Sequence, residues 1–445
     1  MIPCGRAIVV VTLALLLSGC ASYRSTVDHL RLTSEAGHFD EALTTLSSSS
    51  LAHRDKDRFL FLAEKGMLLH LAGNYAESND AFDAAEQRAD ELFGISVSNE
   101  LKGMVINDTQ TEYGGEDFER VQINYFRALN YLALNDLEGA LVECRKVDHL
   151  LSVISDRYEG KNIYREDPLA RYLSAILYEA SNDQNNAFID YRKAYELYRD
   201  DERHLYGVSI PPPLLDDLLR SAVAAGLRDE ALEYRQLFNR KEEKRAPGVT
   251  NDGELVVIIN NGWVPRKVRK NIFVPVPSPP HLPPVKISIP EMQGPPPLVD
   301  HVEGVVDGKA LASSQRIEQI ASVAINNLQD RIGRIVVKTV ARIVAKQIAL
   351  EAAVHAVDNK KGGGAALLTR TILQIGVNLS EQADIRSWTT LPYEAQFLRI
   401  PLPAGVHQVE LRLLDSTGTE LERRQLPEVN IAPRKKTFRI IRSFR

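Results

Sequence analysis

The order of apolar and polar positions divides the chain of 445 residues into a helical part and a strand-rich part. Between residues 25 and 245, apolar side chains recur every three to four positions, which is the spacing of one helix face. From residue 254 onward, short apolar runs and alternations have the period of strands, as where Val409, Leu411 and Leu413 separate polar neighbours. The pattern therefore predicts a multidomain α + β protein with the helices first.

The helical part repeats itself. Five segments place a Gly or Asn turn, small residues and aromatic residues at matching offsets, and the small residues that begin the second helix of each unit are Ala42, Ser78, Ala140, Ala187 and Ala231. Small side chains let two helices approach closely, and Gly or Asn permits a left-handed turn between them. The offsets resemble the tetratricopeptide (TPR) pattern. They predict a TPR-like α-solenoid over residues 20–245; the alternative is an irregular α-domain with coincidental hairpins.

Solenoids of this kind usually bind an extended partner along the concave face, which the first helix of each pair lines. The groove positions of the TPR family, carried onto this chain, predict a partner-binding groove made of Met67, His70, Tyr125, Leu129, Tyr172, Ile176 and Glu179. The alternative for each is a core position, because apolar residues at helical spacing are most often buried. The units are irregularly spaced, which predicts insertions, most clearly around residues 94–117.

Residues 246–445 are predicted to form a β-sandwich-like domain. Half of the 22 prolines lie between Pro265 and Pro297, where they alternate with strand-like runs. Proline is tolerated at strand starts and edges, so we favour strands over a flexible polyproline linker, which is the alternative. The stretch 402–411 is similar to a signature of small sandwich domains of the PEGA type.

A helical insertion, residues 313–380, interrupts the predicted strands. Its first helix carries a basic stripe at spacings of three and four residues: Arg331, Arg334, Lys338, Arg342 and Lys346. The stripe could contact anionic lipid, a glycan or an acidic partner. The alternatives are an ordinary solvated face or a stripe neutralised by the acidic helical part. A second apolar helix is predicted at 365–380, and the helical pair is a candidate for homo-oligomerisation.

The N-terminus predicts export and a lipid anchor. Arg6 precedes an uncharged apolar run from Ala7 to Leu17, which is short for a membrane span, so residues 1–19 are predicted to be a signal peptide. The next residues, 17–20, resemble the lipobox of bacterial lipoproteins. This resemblance implies cleavage before Cys20, palmitate on that residue and anchoring in a membrane. Ala21, in the place of Asp, favours the periplasmic face of the outer membrane.

Composition narrows the function further. The net charge of −5 argues against a nucleic-acid partner, although acids predominate before residue 246 and bases after it. Three cysteines cannot make a four-cysteine zinc site. The sequence holds no two-His zinc motif, nucleophile elbow, phosphate loop or dinucleotide fingerprint. We therefore expect neither an enzyme nor a bound metal or cofactor.

The whole arrangement resembles an uncharacterised family of bacterial outer-membrane lipoproteins that joins a TPR-like region to a β-rich region. The resemblance is carried by two motifs, Asn-Gly-Trp-Val-Pro at 261–265 and Ala-Asp-Ile-Arg-Ser-Trp at 383–388. Our leading hypothesis is a non-catalytic, membrane-tethered scaffold for protein partners in cell-envelope assembly. One rival is a peptidoglycan-binding or -processing enzyme, with the basic stripe, Asp384 and Arg386 as substrate contacts. A third hypothesis is a structural lipoprotein that self-assembles through residues 313–380.

Overall fold

The computed structural model describes residues 23–96, 108–240, 252–274, 285–361 and 382–445. Three predicted features lie outside these ranges: the signal peptide, the lipidation site Cys20 and the second insertion helix at 365–380.

Ten helices precede the first strand within the described ranges. They are α1 (23–35), α2 (Phe39–Ser48), α3 (Arg58–Leu71), α4 (Tyr75–Ser96), α5 (Asp117–Ala133), α6 (Leu137–Arg157), α7 (Pro168–Ala180), α8 (Gln184–Arg199), α9 (Pro212–Ala224) and α10 (Arg228–Leu237). Short turns join them in consecutive pairs, so the first half is a helical-repeat region as predicted. The predicted insertion falls between α4 and α5.

The same turn closes all five described pairs. The residues at its centre have a left-handed backbone, with φ between 61° and 81°: Gly37, Gly73, Asn135, Asn182 and Gly226. In the second pair, the N–H of Gly73 donates to the carbonyl of His70 at 3.0 Å, and that of Asn74 donates to the carbonyl of Leu69 at 2.9 Å. These bonds satisfy carbonyls that a helix end leaves without a partner. Gly and Asn occupy this region at the lowest cost, which explains their recurrence.

The five predicted small residues lie where paired helices meet. Their exposed fractions are 0% for Ala42, Ser78, Ala140 and Ala187 and 4% for Ala231. Beside Ser78, the carbonyl of Gly66 accepts a hydrogen bond from the Ser78 hydroxyl at 2.7 Å. A Cβ atom at Gly66 would lie 2.5 Å from the ring of Phe82. Helices α3 and α4 are therefore closer at this point than a larger side chain would allow.

Twelve strands and one long helix follow in the described part of the chain. The strands are β1 (Gly253–Asn261), β2 (Arg266–Val274), β3 (Val285–Gln293), β4 (His301–Val306), β5 (Lys309–Ser313), β6 (Gln315–Glu318), β7 (Glu394–Leu402), β8 (Gly405–His407), β9 (Val409–Leu414), β10 (Glu420–Gln425), β11 (Val429–Ile431) and β12 (Lys436–Ser443). The helix is α11 (Ile320–Lys361). It begins later than the predicted boundary at 313, because β5 and β6 take up the preceding residues.

Two four-stranded sheets organise this second half. The inner sheet has the order β12-β1-β7-β6 and the outer sheet the order β10-β9-β4-β5, while β2 with β3 and β8 with β11 form separate two-stranded ribbons. The last strand, β12, runs parallel to the first, β1, with Leu255 opposite Thr437. On its other side β1 is antiparallel to β7, with Leu255 opposite Ile400. The inner sheet is therefore mixed, whereas the strand pairs of the outer sheet are antiparallel.

The inner sheet is buried on both faces. Val256 and Ile258 of β1 belong to the hydrophobic core of the helices, whereas Leu255 and Val257 belong to a core shared with the outer sheet. This double burial explains why β1 is a continuous apolar run rather than an alternating one. The predicted boundary at residue 245 therefore does not separate two independent cores.

Helix α11 extends from this assembly along the β2–β3 ribbon. Ile343 of the helix packs against Ile287 and Ile289 of β3. The face that includes Gly333, Val337 and Ile348 is exposed, with exposed fractions of 70% for Val337 and 65% for Ile348. Within the described residues, no helix combines the length and the apolar character that a membrane span requires.

Candidate binding cleft at the end of the helical groove

Six of the seven predicted groove residues are buried, and Tyr125 and Tyr172 contact strands of the inner sheet. The exposed fraction is 0% for Met67, Leu129 and Ile176, 1% for Tyr172, 2% for Tyr125 and 7% for His70, and the side chain of Glu179 is 10% exposed. The Tyr125 hydroxyl donates to Asn260 Oδ1 of β1 at 3.2 Å, and the Tyr172 ring lies 5.6 Å from the ring of Phe397 in β7. The inner sheet thus occupies the groove, and binding of an outside partner to these seven residues stays a prediction.

A segment without helix or strand, residues 383–390, continues this coverage. Its Trp388 is fully buried, with the indole 5.6 Å from the ring of Phe82 and 6.3 Å from that of Phe126. The backbone N–H of Trp388 donates to Glu119 at 2.7 Å, and that of Thr389 donates to Glu64 at 2.8 Å. Side chains of α3 and α5, the first helices of their pairs, therefore bind the backbone of this segment.

The charged groups that hold this segment are desolvated. Burial raises the pKa of Glu64, although Thr389 and Thr390 donate hydrogen bonds to its carboxylate. Burial also raises the pKa of Glu119 to about 7. Arg31 of α1 donates to the carbonyl of Thr389 at 2.6 Å and to that of Val264 at 2.8 Å, and burial lowers its pKa to about 9. Hydrogen bonds stabilise each of these buried groups, because burying a charge without partners costs free energy.

The two motifs of the sequence resemblance meet here. The Trp263 ring of the first motif has the guanidinium of Arg31 at 5.1 Å and that of Arg442 at 4.8 Å. In the second motif, Arg386 is 9% exposed and forms ion pairs with Asp384 at 2.6 Å and Asp57 at 3.0 Å. Both motifs therefore join the helices to the strands. Asp384 and Arg386, predicted as substrate contacts of a rival enzyme, are engaged in this joint.

The concave face stays open at its C-terminal end. There, a cleft of about 1620 Å³ lies between α7 and α9 on one side and β1, β7 and β12 on the other. Two of the predicted groove residues, Tyr172 and Glu179, line it. Because two of the predicted groove positions line this opening, the cleft is the candidate functional site.

A network of charged side chains forms the cleft floor. It contains three cations and three carboxylates: Arg220, Arg399, Lys436, Glu179, Asp217 and Glu254. Arg399 of β7 contacts Asp217 of α9 and lies 2.7 Å from Glu254 of β1. Lys436 lies 3.2 Å from Glu179. The formal charges cancel, so the floor joins helices to strands without an excess charge.

The pKa shifts of the floor follow from burial and from these neighbours. Burial acts to raise the pKa of Glu254, but the charges of Arg399 and Lys436 hold it down at about 2. Burial lowers the pKa of Lys436 to about 8. The carboxylate of Glu254 is therefore ionised at neutral pH.

The rim of the cleft differs from its floor. Arg434 and Lys435, on the turn before β12, are exposed, and no ion pair of either is present among the described residues. On α9, Val223 also lines the cleft and is 57% exposed. Neither the two cations nor Val223 was among the predicted site residues. Their sequence contexts, a Pro-Arg-Lys-Lys run and a helix of ordinary amphipathic pattern, do not distinguish them.

The predicted basic stripe on α11 lies elsewhere, and its first members contact the helical region. Arg331 forms an ion pair with Glu116, just before α5, and Arg334 lies 5.1 Å from the ring of Tyr158. Arg342 is 3% exposed, while Lys338 and Lys346 are half-buried. Arg331 therefore pairs with an acid of the helical region, and what the stripe as a whole contacts stays a prediction.

Sequence reasoning also missed a buried acid. Glu318 of β6 is 0% exposed, and neither of its carboxylate oxygens has a hydrogen-bond partner within the part of the chain that the structure describes. Burial, together with the nearby charges of Asp167 and Asp201, raises its pKa well above the usual range. Among the described residues, no group of three His, Cys, Asp or Glu side chains is placed to hold a metal ion. Cys144 is buried, and burial raises the pKa of its thiol.

Several solved structures resemble the chain, and one of them is named for its TPR-like repeats. A kinesin light chain-like protein of Podosopora anserina with nearly identical TPR-like repeats is 16% identical, with 48% of this chain and 92% of that chain covered and a TM-score of 0.31. MamA is 13% identical, with 51% and 98% covered and a TM-score of 0.29. BtubC from P. vanneervenii is 16% identical, with 47% and 76% covered and a TM-score of 0.27.

No protein-family model matches the chain, and no curated protein matches it. Because the TM-scores are low, the helical-repeat assignment rests on the five hairpins and their shared turns.

Proposed function

We propose that the protein is a non-catalytic scaffold that binds protein partners in the assembly of the bacterial cell envelope. The observation that carries this proposal is the open cleft at the end of an otherwise filled helical groove. Helical repeats commonly present such concave surfaces to other polypeptides. The two packed sheets, which we take to be a β-sandwich, supply the second wall of the cleft.

We further propose that Cys20 is lipidated and holds the protein at the periplasmic face of the outer membrane. The support is the lipobox-like sequence before Cys20, behind an uncharged apolar run. Labelled palmitate should be incorporated into the wild-type protein in cells and be lost in Cys20→Ser. Incorporation that persists in Cys20→Ser would contradict the anchor.

The scaffold proposal is tested by photo-crosslinking in intact cells from a position in the cleft. Val223 suits this purpose because it lines the cleft and is 57% exposed; Val406, which is 60% exposed on β8 and outside the cleft, is the matched control. We expect discrete protein adducts from Val223 that Val406 does not give. Identical adducts from both positions, or none from Val223, would count against the scaffold.

A truncated helical region is not a suitable probe of this function. Val256 and Ile258 of β1 complete the core of the helices, so their removal would expose apolar surface on the concave face. The full chain is therefore the appropriate sample.

A second candidate function is self-assembly through α11. The exposed side of this helix presents Gly333, Val337, Ala341, Ala345 and Ile348, a face of mostly small apolar residues on which another helix can pack closely. Sedimentation of the full chain carrying Cys20→Ser separates the candidates. A strictly monomeric mass at high concentration would exclude self-assembly and leave the scaffold intact.

A further inference from the structure

The size and position of the cleft point to a polypeptide as its occupant. Small-molecule pockets typically enclose roughly 300–1,000 Å³, whereas this cleft measures about 1620 Å³ and is open. It also continues the concave face along which the chain already binds its own segment 383–390 through backbone hydrogen bonds. An extended chain is therefore the shape that the opening accommodates.

The charged side chains on the floor of the cleft are already paired with one another. Each carboxylate of the floor network contacts at least one cation, and Arg399 is engaged by both Asp217 and Glu254. The Tyr172 hydroxyl donates to Asp217 at 2.7 Å, which further satisfies that carboxylate. A ligand's charge would therefore be recognised at the rim.

The rim cations are held by a well-anchored turn. The N–H of Arg434 donates to the carbonyl of Asp252 at 3.1 Å, and the N–H of Glu254 donates to the carbonyl of Lys435 at 3.0 Å. A Cβ atom at Gly253 would lie 2.5 Å from the carbonyl of Ala432, so the turn and β1 pack closely. Because this backbone is fixed before binding, less ordering is required when a ligand arrives.

The α9 wall of the cleft adds an apolar contact. Val223 is exposed there, and Leu219, one helical turn earlier, also lines the cleft. The cleft thus has on one wall two exposed cations with no ion pair among the described residues, beside the exposed acid Asp252, and an apolar strip on another wall.

We infer that this cleft binds an extended, acidic segment of a partner polypeptide. Its Asp or Glu side chains pair with Arg434 and Lys435, while an apolar side chain packs on Val223. This inference rests on the scaffold function proposed above and adds the chemistry of the bound segment. The source is a partner protein; a second copy of the chain, whose helical region is acidic, is an outcome that the test distinguishes.

The test measures peptide binding to the full chain carrying Cys20→Ser by fluorescence anisotropy. The probes are a short fluorescein-labelled peptide in which Glu alternates with Leu and Ala, and the same peptide with Lys in place of Glu. The variant is Arg434→Glu/Lys435→Glu, and the matched control is Arg203→Glu/Lys309→Glu, which reverses two exposed cations outside the cleft. Equal thermal midpoints of the variants establish that each one is folded.

We expect the Glu peptide to bind, to weaken with added salt, and to bind the cleft variant at least about tenfold more weakly. The control variant should change the affinity less than about twofold. Equal binding of both peptides, or equal losses in both variants, would overturn the inference. Absence of any binding would also overturn the inference. So would a dimer of the chain whose formation rises as peptide binding falls, because the occupant of the cleft would then be a second copy.

These outcomes are separable from those of the scaffold proposal. If the partners crosslinked at Val223 persist in Arg434→Glu/Lys435→Glu, the inference of an acidic segment is overturned, whereas the scaffold proposal stands. Absence of any Val223 adduct would contradict the scaffold itself.

Discussion

The middle and the C-terminal end of the concave face differ although the same kind of helix lines both. In the middle, His70 and Tyr125 are buried beneath the chain's own strands and the segment that contains Trp388. At the end, Glu179 occupies the position on α7 that corresponds to His70 on α3, but it lies beside an open cleft. The repeat pattern determines which side chains face inward, whereas the partner of those side chains depends on where the inner sheet ends.

The two regions also treat charge differently. The middle retains single buried acids, such as Glu64, by hydrogen bonds from the backbone and hydroxyls of residues 389 and 390. The cleft floor instead balances carboxylates with cations from both halves of the chain. The closed region is therefore expected to respond to changes in packing and pH, and the open region to changes in surface charge.

The largest expected effect is loss of the Trp388 side chain from the closed region. Trp388→Ala should reduce the free energy of unfolding by about 3–5 kcal/mol, because it leaves a cavity among Phe82 and Phe126. Urea unfolding measures the change, and Val223→Ala at the cleft should change it by less than about 0.5 kcal/mol. Because helices and strands share one core, they should lose structure together. A loss below about 1 kcal/mol would mean that the segment is not a tight part of the core.

The pH dependence of stability should identify the buried acid of the closed region. Burial raises the folded-state pKa of Glu318 above its unfolded value, so the folded state holds a proton that the unfolded state has released. The contribution of Glu318 to stability is then fully present below its unfolded pKa of about 4.5 and is lost as the pH rises toward its folded pKa. Glu318→Gln should make this decline smaller and stabilise the protein at pH 7, while Glu64 and Glu119, whose pKa values burial also raises, keep their share of it. An unchanged profile in Glu318→Gln would refute the buried acid as its source.

A smaller effect is expected where α3 and α4 approach. Gly66→Ala should lower the free energy of unfolding by about 1–3 kcal/mol, because its Cβ would meet the ring of Phe82 at 2.5 Å. Gly333→Ala is the matched control, since a Cβ there has nothing within 4 Å. In a helix, that control should gain about 0.5–1 kcal/mol. Thermal or urea unfolding of the two variants would contradict the close approach if both changes had the same sign.

The hairpins and most strands could be predicted from sequence because their signals are local. Gly73 and Asn135 mark turns by their backbone freedom, and Ser78 and Ala140 mark the helix contacts beside them. Period-two alternation likewise identified β9, and the apolar run identified β1. Each signal reflects a residue's own conformational preference or its immediate neighbours.

The coverage of the groove could not be predicted in this way, because it depends on contacts between distant segments. The Trp388 N–H and Glu119 are 269 positions apart in sequence, and Tyr125 and Asn260 are 135 positions apart. A helix face that packs on the chain's own sheet has the same pattern as one that binds a partner. The rim cations were missed for a similar reason, since only the fold brings the β12 turn opposite α9.

The smallest expected effect on stability is at the rim, and it sharpens the contrast with the floor. Lys435→Glu should change the free energy of unfolding by less than about 0.5 kcal/mol, because the side chain is exposed. Arg399→Ala, on the floor of the same cleft, should lower the free energy of unfolding by about 3–5 kcal/mol. The reason is that it leaves Asp217 and Glu254 without that cation. Urea unfolding of both variants measures the difference. Similar losses in the two would mean that rim and floor form one structural network, and that the rim cations are not kept for a ligand.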